Sequence, residues 1–152
     1  MATIDNARAA ARSACPECGG RSVGGLGCQE MFGTLLAWEW QDPELLAQHF
    51  LTVSSFQLQH PAPFTDEAIR GLQLALAGVV RGELTVEQVR WQTHAAYDGA
   101  ARVHRPVSDV QRRLRTWPIT IADVYEGGQA GAASRVKAWA QSISDNSELE
   151  TP

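Results

Sequence analysis

The 152 residues include 13 Lys and Arg against 17 Asp and Glu, a formal net charge of −4 that lacks the basic surface needed to coat nucleic acid. Apolar residues make up 44% and charged residues 20%, ordinary for a soluble domain, and no apolar run approaches bilayer length. The opening MATIDNARAAARSA has no apolar core and carries Asp5, so neither a secretory signal nor a transit peptide is read there; the expected location is the cytoplasm.

In chain order, residues 1–12 read as a flexible extension, 13–144 as one helical domain and 145–152 as an acidic tail. CPEC followed by Gly19 and Gly20 reads as a knuckle-like loop. From Cys28 to Trp40, the spacing of Phe32, Leu35 and Leu36 predicts a helix with one buried stripe. Asp42 is a cap, Pro43 suits a first helical position, and the second helix should run unbroken to His60, where Pro61 stops it. These two helices form an antiparallel pair turning at Gln41 and Asp42.

Thr65 caps a third helix that closes before Gly82. Thr85 with Gln88, Ser108 with Gln111, and Thr120 with Asp123 have capping-box spacing, ahead of VRWQTHAAY, QRRLR and ADVY. The last helix covers AASRVKAWAQSI. No segment alternates with period two for long, so the fold class is all-α, a compact helical bundle with an N-terminal zinc-knuckle-like loop. The five tryptophans are expected in the core and at helix junctions. The stretch RVHRPVSDVQRRLR, with five arginines, reads first as a solvated helix face and only second as a phosphate or nucleic-acid contact.

Cys15, Cys18 and Cys28 crowd into fourteen positions. In a reducing compartment such a cluster points to metal binding or redox work rather than a structural bridge. A tetrahedral zinc site needs a fourth donor, and His49 and His60 are the candidates. They lie eleven residues apart on one helix face, about 16 Å along the axis, so they cannot share one ion. The same spacing relates Cys28 to Glu39. His60 sits where the helix must fray before Pro61 and can swing toward the knuckle, which selects Cys15, Cys18, Cys28 and His60 as Zn2+ ligands.

CPECG (15–19), Cys28, HFLTV (49–53), QHP (59–61) and WPITIADV (117–124) together resemble the signature of a family of small bacterial proteins catalogued as a domain of unknown function. The likeness spans about residues 13 to 141. Phe56 stands where that pattern has tyrosine, and Ala133 and Ser134 where it has histidine. The resemblance strengthens the cysteine site and implies no reaction.

Glu39 and His49 form a second constellation, an acid/base pair or half of a bundle metal site. The plainer reading sends Glu39 to solvent between Trp38 and Trp40, leaves His49 one buried hydrogen bond, and sets the two at different levels of the hairpin. His94 and His104 read as surface or edge residues. The leading function is a zinc-binding domain with a mainly structural ion, serving as a binding or adaptor module for a protein or small-molecule partner. A small zinc enzyme using Glu39 or His49 as general base is the first rival. A thiol redox sensor is the second, with Cys28 activated by its helix start and resolved by Cys18.

Overall fold

The computed structural model describes residues 14–96 and 103–148. The proposed extension 1–12, Arg102 and the end of the acidic tail lie outside the described residues. The fold is all-α: helices α1 (Cys28–Glu39), α2 (Pro43–Leu46), α3 (His49–Gln59), α4 (Asp66–Val80), α5 (Val86–Ala96), α6 (Ile121–Glu126) and α7 (Ala132–Glu148). No described helix is long and apolar enough to cross a membrane.

Most predicted helix starts coincide with real caps. Asp42 accepts from the amides of Glu44 and Leu45 at 3.1 and 3.2 Å, and Thr65 from Ala68 at 3.2 Å. Thr85 and Gln88 close a reciprocal box at 2.8 and 3.1 Å, and Thr120 with Asp123 forms another. Each satisfies amides that the helix leaves orphaned.

The core is organised by α7, which lies against α2, α3, α4 and α6. Val136, Trp139, Ala140 and Ile143 recur at helical spacing and are fully buried. Burial of side chains such as Trp139 and Ile143 contributes about 1.5–3 kcal/mol each. The same helix runs to Glu148, past the expected end at Ile143. Arg115 donates to the Asn146 carbonyl at 3.2 Å, and the Asn146 side chain to that of Ser142 at 2.7 Å, so the last turn has the partners a free tail lacks.

Three expectations are corrected. The second predicted helix is two, because the Gln48 amide bonds Leu45 rather than continuing the ladder and the chain turns at Ala47–Gln48. That turn lets α2 drive Leu45 into the core. QRRLR is not a helix: Ser108 bonds Asp109 rather than capping, Val107–Asp109 makes one 3-10 turn, and residues 110–116 run as an irregular strap. The strap is pinned where the Arg115 amide donates to the Glu17 carbonyl at 2.8 Å and its guanidinium covers Trp117. With Val107 and Leu114 exposed, the segment has no apolar stripe to stabilise a helix. Finally, of the tryptophans only Trp139 is fully buried, while Trp40 and Trp91 are 86% and 75% exposed.

Candidate metal centre

The knuckle is a closed backbone ring. The Cys15 amide donates to the Gly20 carbonyl at 2.8 Å and the Gly19 amide to the Cys15 carbonyl at 2.9 Å, which turns the chain around Cys18. Gly20 donates its amide to Cys18 Sγ at 3.3 Å, and a Cβ there would come within 3.1 Å of that sulfur and 3.0 Å of Thr120 Oγ1. Only glycine permits so close an approach. Val23 and Leu26 then pair across Gly24 and Gly25, both at positive φ, as a two-residue hairpin that returns the chain to Cys28 at the start of α1.

The fourth group comes from the far end of α3. His60 is the C-cap, outside helical geometry at φ −130° and ψ 60°. Its Nδ1–H donates to the Phe56 carbonyl at 2.7 Å, and the ring stacks on Phe56 at 4.3 Å. This bond holds the proton on Nδ1 and turns Nε2 toward the thiols, so that Nε2 is the nitrogen that can ligate a metal once its own proton has left. Nε2 lies 3.6 Å from Cys15 Sγ, and Cys18 Sγ lies 3.6 Å from Cys28 Sγ. The four donor atoms of Cys15, Cys18, Cys28 and His60 all fall within 4.8 Å of one another. A tetrahedron with metal–sulfur bonds of about 2.3 Å and a metal–nitrogen bond of about 2.0 Å has edges of about 3.5–3.8 Å, so the group is sized to hold one metal ion.

The four groups shift one another's protonation. The hydrogen bond from Cys28 pushes the Cys18 thiol down to about 4, against the opposing effect of burial, with His60 and the Gly20 amide assisting. That bond, burial and the nearby Cys18 and Cys15 sulfurs push Cys28 well above the ordinary thiol range. Burial pulls His60 down, but the hydrogen bonds to Cys18 and Phe56 outweigh it and hold the imidazole up, at about 9. The expected lowering at Cys28 runs against these shifts: of the pair it is Cys18 that is pushed down and Cys28 that is pushed up, first by their mutual hydrogen bond. Turning all three thiols into thiolates at this spacing would need a cation between them.

A family model described as a family of unknown function (DUF5946) matches residues 13–148. The chain belongs to that family. No curated protein and no solved structure matches it. The DUF5946 match contains all four donors and both members of the second constellation.

Within this DUF5946 fold, Glu39 and His49 depart from expectation. Glu39 is 4% exposed and His49 47% exposed, the reverse of a carboxylate in water beside a buried imidazole. They are level, with His49 Nδ1–H donating to Glu39 Oε2 at 2.7 Å. The anticipated mismatch assumed a turn at Gln41 and Asp42. In the structure Cys28 meets His60, Phe32 stacks on Phe56 at 4.1 Å and Glu39 meets His49, pairs all centred on residue 44. The irregular connection through α2 shifts the register and aligns both ends of α1 with both ends of α3.

Two contributors had no role assigned from the sequence. Glu17, buried between the first two cysteines, accepts from the Ala62 amide through Oε2 at 3.0 Å and so fastens the knuckle beside His60. Gln59, fully buried, donates to the Ile119 carbonyl at 2.7 Å and accepts from Trp139 Nε1 at 3.1 Å, which fixes the end of α3 against α7. Helix α7 supplies none of the four donors. His104 is an exposed edge residue tilted over Phe64, and His94 is exposed.

Proposed function

We propose that this is a zinc-binding helical protein of the cytoplasm whose ion is structural and whose biochemical role is that of a binding or adaptor domain. The observation that carries the reading is the convergence of four protein donors, from the knuckle, the start of α1 and the end of α3, within 4.8 Å. Three thiols and one imidazole suit the borderline-soft Zn2+ ion better than oxygen-preferring cations. Bound there, zinc contributes folding free energy by cross-linking residues 15–18 to the two helices.

Four donors would close the tetrahedron and leave no position for a reacting water, which favours the structural role over the enzyme reading. His49 also stands eleven residues from His60 on one helix, about 16 Å along the axis, beyond the reach of a general base acting at that ion. The redox reading keeps one argument, the 3.6 Å separation of the Cys18 and Cys28 sulfurs.

The test is metal content by elemental analysis together with a native thiol titration. One zinc per chain with three slowly alkylated thiols is the expected result. Metal-free chains in which Cys18 reacts ahead of Cys15 and Cys28 would replace this reading with the redox one.

A further inference from the structure

A groove of about 780 Å³ runs along the same α1/α3 pair, from the cysteine cluster to His49, and is lined as well by the knuckle, Pro63 and Phe64, and Val110 and Arg112 of the strap. Its volume lies within the usual range for small-molecule sites. Phe32 and Phe56 line it as parallel rings inclined by 11°, and Leu36 and Val53 extend the apolar surface toward His49. The Glu39 hydrogen bond occupies His49 Nδ1, so in the neutral ring Nε2 remains as an acceptor.

The other Glu39 oxygen points to a use for this arrangement. Oε1 is buried and has no hydrogen-bond partner among the described residues. A buried carboxylate bonded through one oxygen is costly for folding, and a glutamine or an apolar residue would cost less. Its one polar contact orients and polarises an imidazole that lines an apolar groove. Positioned polar groups of this kind, held at a local cost to stability, characterise ligand sites.

We propose that the groove binds a small organic molecule with a flat apolar body and a hydroxyl-type hydrogen-bond donor, the body lying along Phe32, Leu36, Val53 and Phe56 and the donor meeting His49 Nε2. Glu39 is the positioning residue. This inference rests on the binding-domain reading and names the class of ligand. A molecule of two fused rings is well short of the distance between His49 and the cysteine cluster, so groove and metal occupancy are separable.

The probes are 2-naphthol, which carries the donor and shifts its emission when it loses its proton in the excited state, and 2-methoxynaphthalene, which does not carry it. The native, metal-loaded chain is expected to bind 2-naphthol about tenfold more tightly than the methyl ether, the effect of one well-placed hydrogen bond, and to show naphtholate emission from the bound state. His49→Phe should abolish both the preference and that emission while still binding the ether. Glu39→Gln should keep 2-naphthol affinity within about twofold and lower the naphtholate fraction, a change that loss of packing alone does not produce. Val53→Trp, which fills the groove, should weaken both compounds at least about tenfold.

Equal affinity for the two compounds, no binding of either, or naphtholate emission unchanged in His49→Phe overturns the proposal. Zinc content is measured on every sample. Normal zinc with no probe binding ends the groove assignment alone, and selective probe binding without zinc ends the metal assignment alone.

Discussion

The two ends of the α1/α3 pair begin from the same geometry and reach opposite outcomes. Each end joins one residue of α1 to one of α3 across a matched register, Cys28 to His60 and Glu39 to His49. At the cysteine end two further thiols arrive from the knuckle, and the imidazole has a backbone partner for Nδ1 and a thiol beside Nε2. At the other end a single hydrogen bond joins a buried carboxylate to an exposed ring, and one carboxylate oxygen goes unmatched among the described residues. Completed polar groups add stability, whereas incomplete ones subtract from it and are retained for use. The contrast underlies the proposed division of labour, structure at one end and recognition at the other.

The comparison breaks first if the cysteine end does not behave as a fastening. Cys18→Ser should abolish metal retention and cost about 3–5 kcal/mol, measured by elemental analysis and urea unfolding, because a metal cross-link is lost from a site where Cys18 is only 1% exposed. A loss below about 1 kcal/mol with metal gone would move the ion out of the structural role.

Proton linkage gives the next largest effect. With only protons to balance it, the cluster keeps one on Cys28, pushed above the usual thiol range, and one on His60, held up at about 9. Both must leave for the ion to bind. Zinc affinity should therefore fall by at least about a hundredfold per pH unit as pH drops below 9, with release of at least two protons per ion at pH 7, read by calorimetry in buffers of different ionisation enthalpy. The sign follows from the raised folded value: the proton is held more tightly than the ordinary 6.5 of a histidine, so acid competes with the metal. A flat response from pH 9 to 6.5 would contradict this protonation pattern.

The other end should respond more weakly. Glu39→Gln is expected to leave stability unchanged or raise it by up to about 1 kcal/mol, since it removes a buried charge with an unmatched oxygen. A loss above about 2 kcal/mol would make the pair a structural contact. The smallest effect on the metal belongs to His49→Ala, which should keep the ion while costing about 1–2 kcal/mol, because it strips the buried Glu39 carboxylate of its hydrogen-bond partner. Loss of metal in that variant would show that the ends are coupled rather than separate.

Much of the architecture was legible in the sequence because its signals are local. Caps at Asp42, Thr65, Thr85 and Thr120 need only a side chain within three residues of an orphaned amide, so spacing reveals them. The same spacing misled at Ser108, where no apolar stripe followed to stabilise a helix. Three cysteines and a histidine before Pro61 could be singled out because few residue types bind metal and only some geometries bring them together.

What the chain order could not supply was register and burial. The turn at Ala47–Gln48 exists because Leu45 reaches a core built largely by α7, far along the chain, and the connection through α2 brings Glu39 level with His49. Glu17 and Gln59 acquire their roles only once Ala62, Ile119 and Trp139 are beside them. The sequence by itself determined which residues could start helices and ligate a metal, since those are properties of side chains and their near neighbours. Tertiary structure decided which faces meet and which polar atoms remain unmatched, because both depend on contacts between residues distant in the chain.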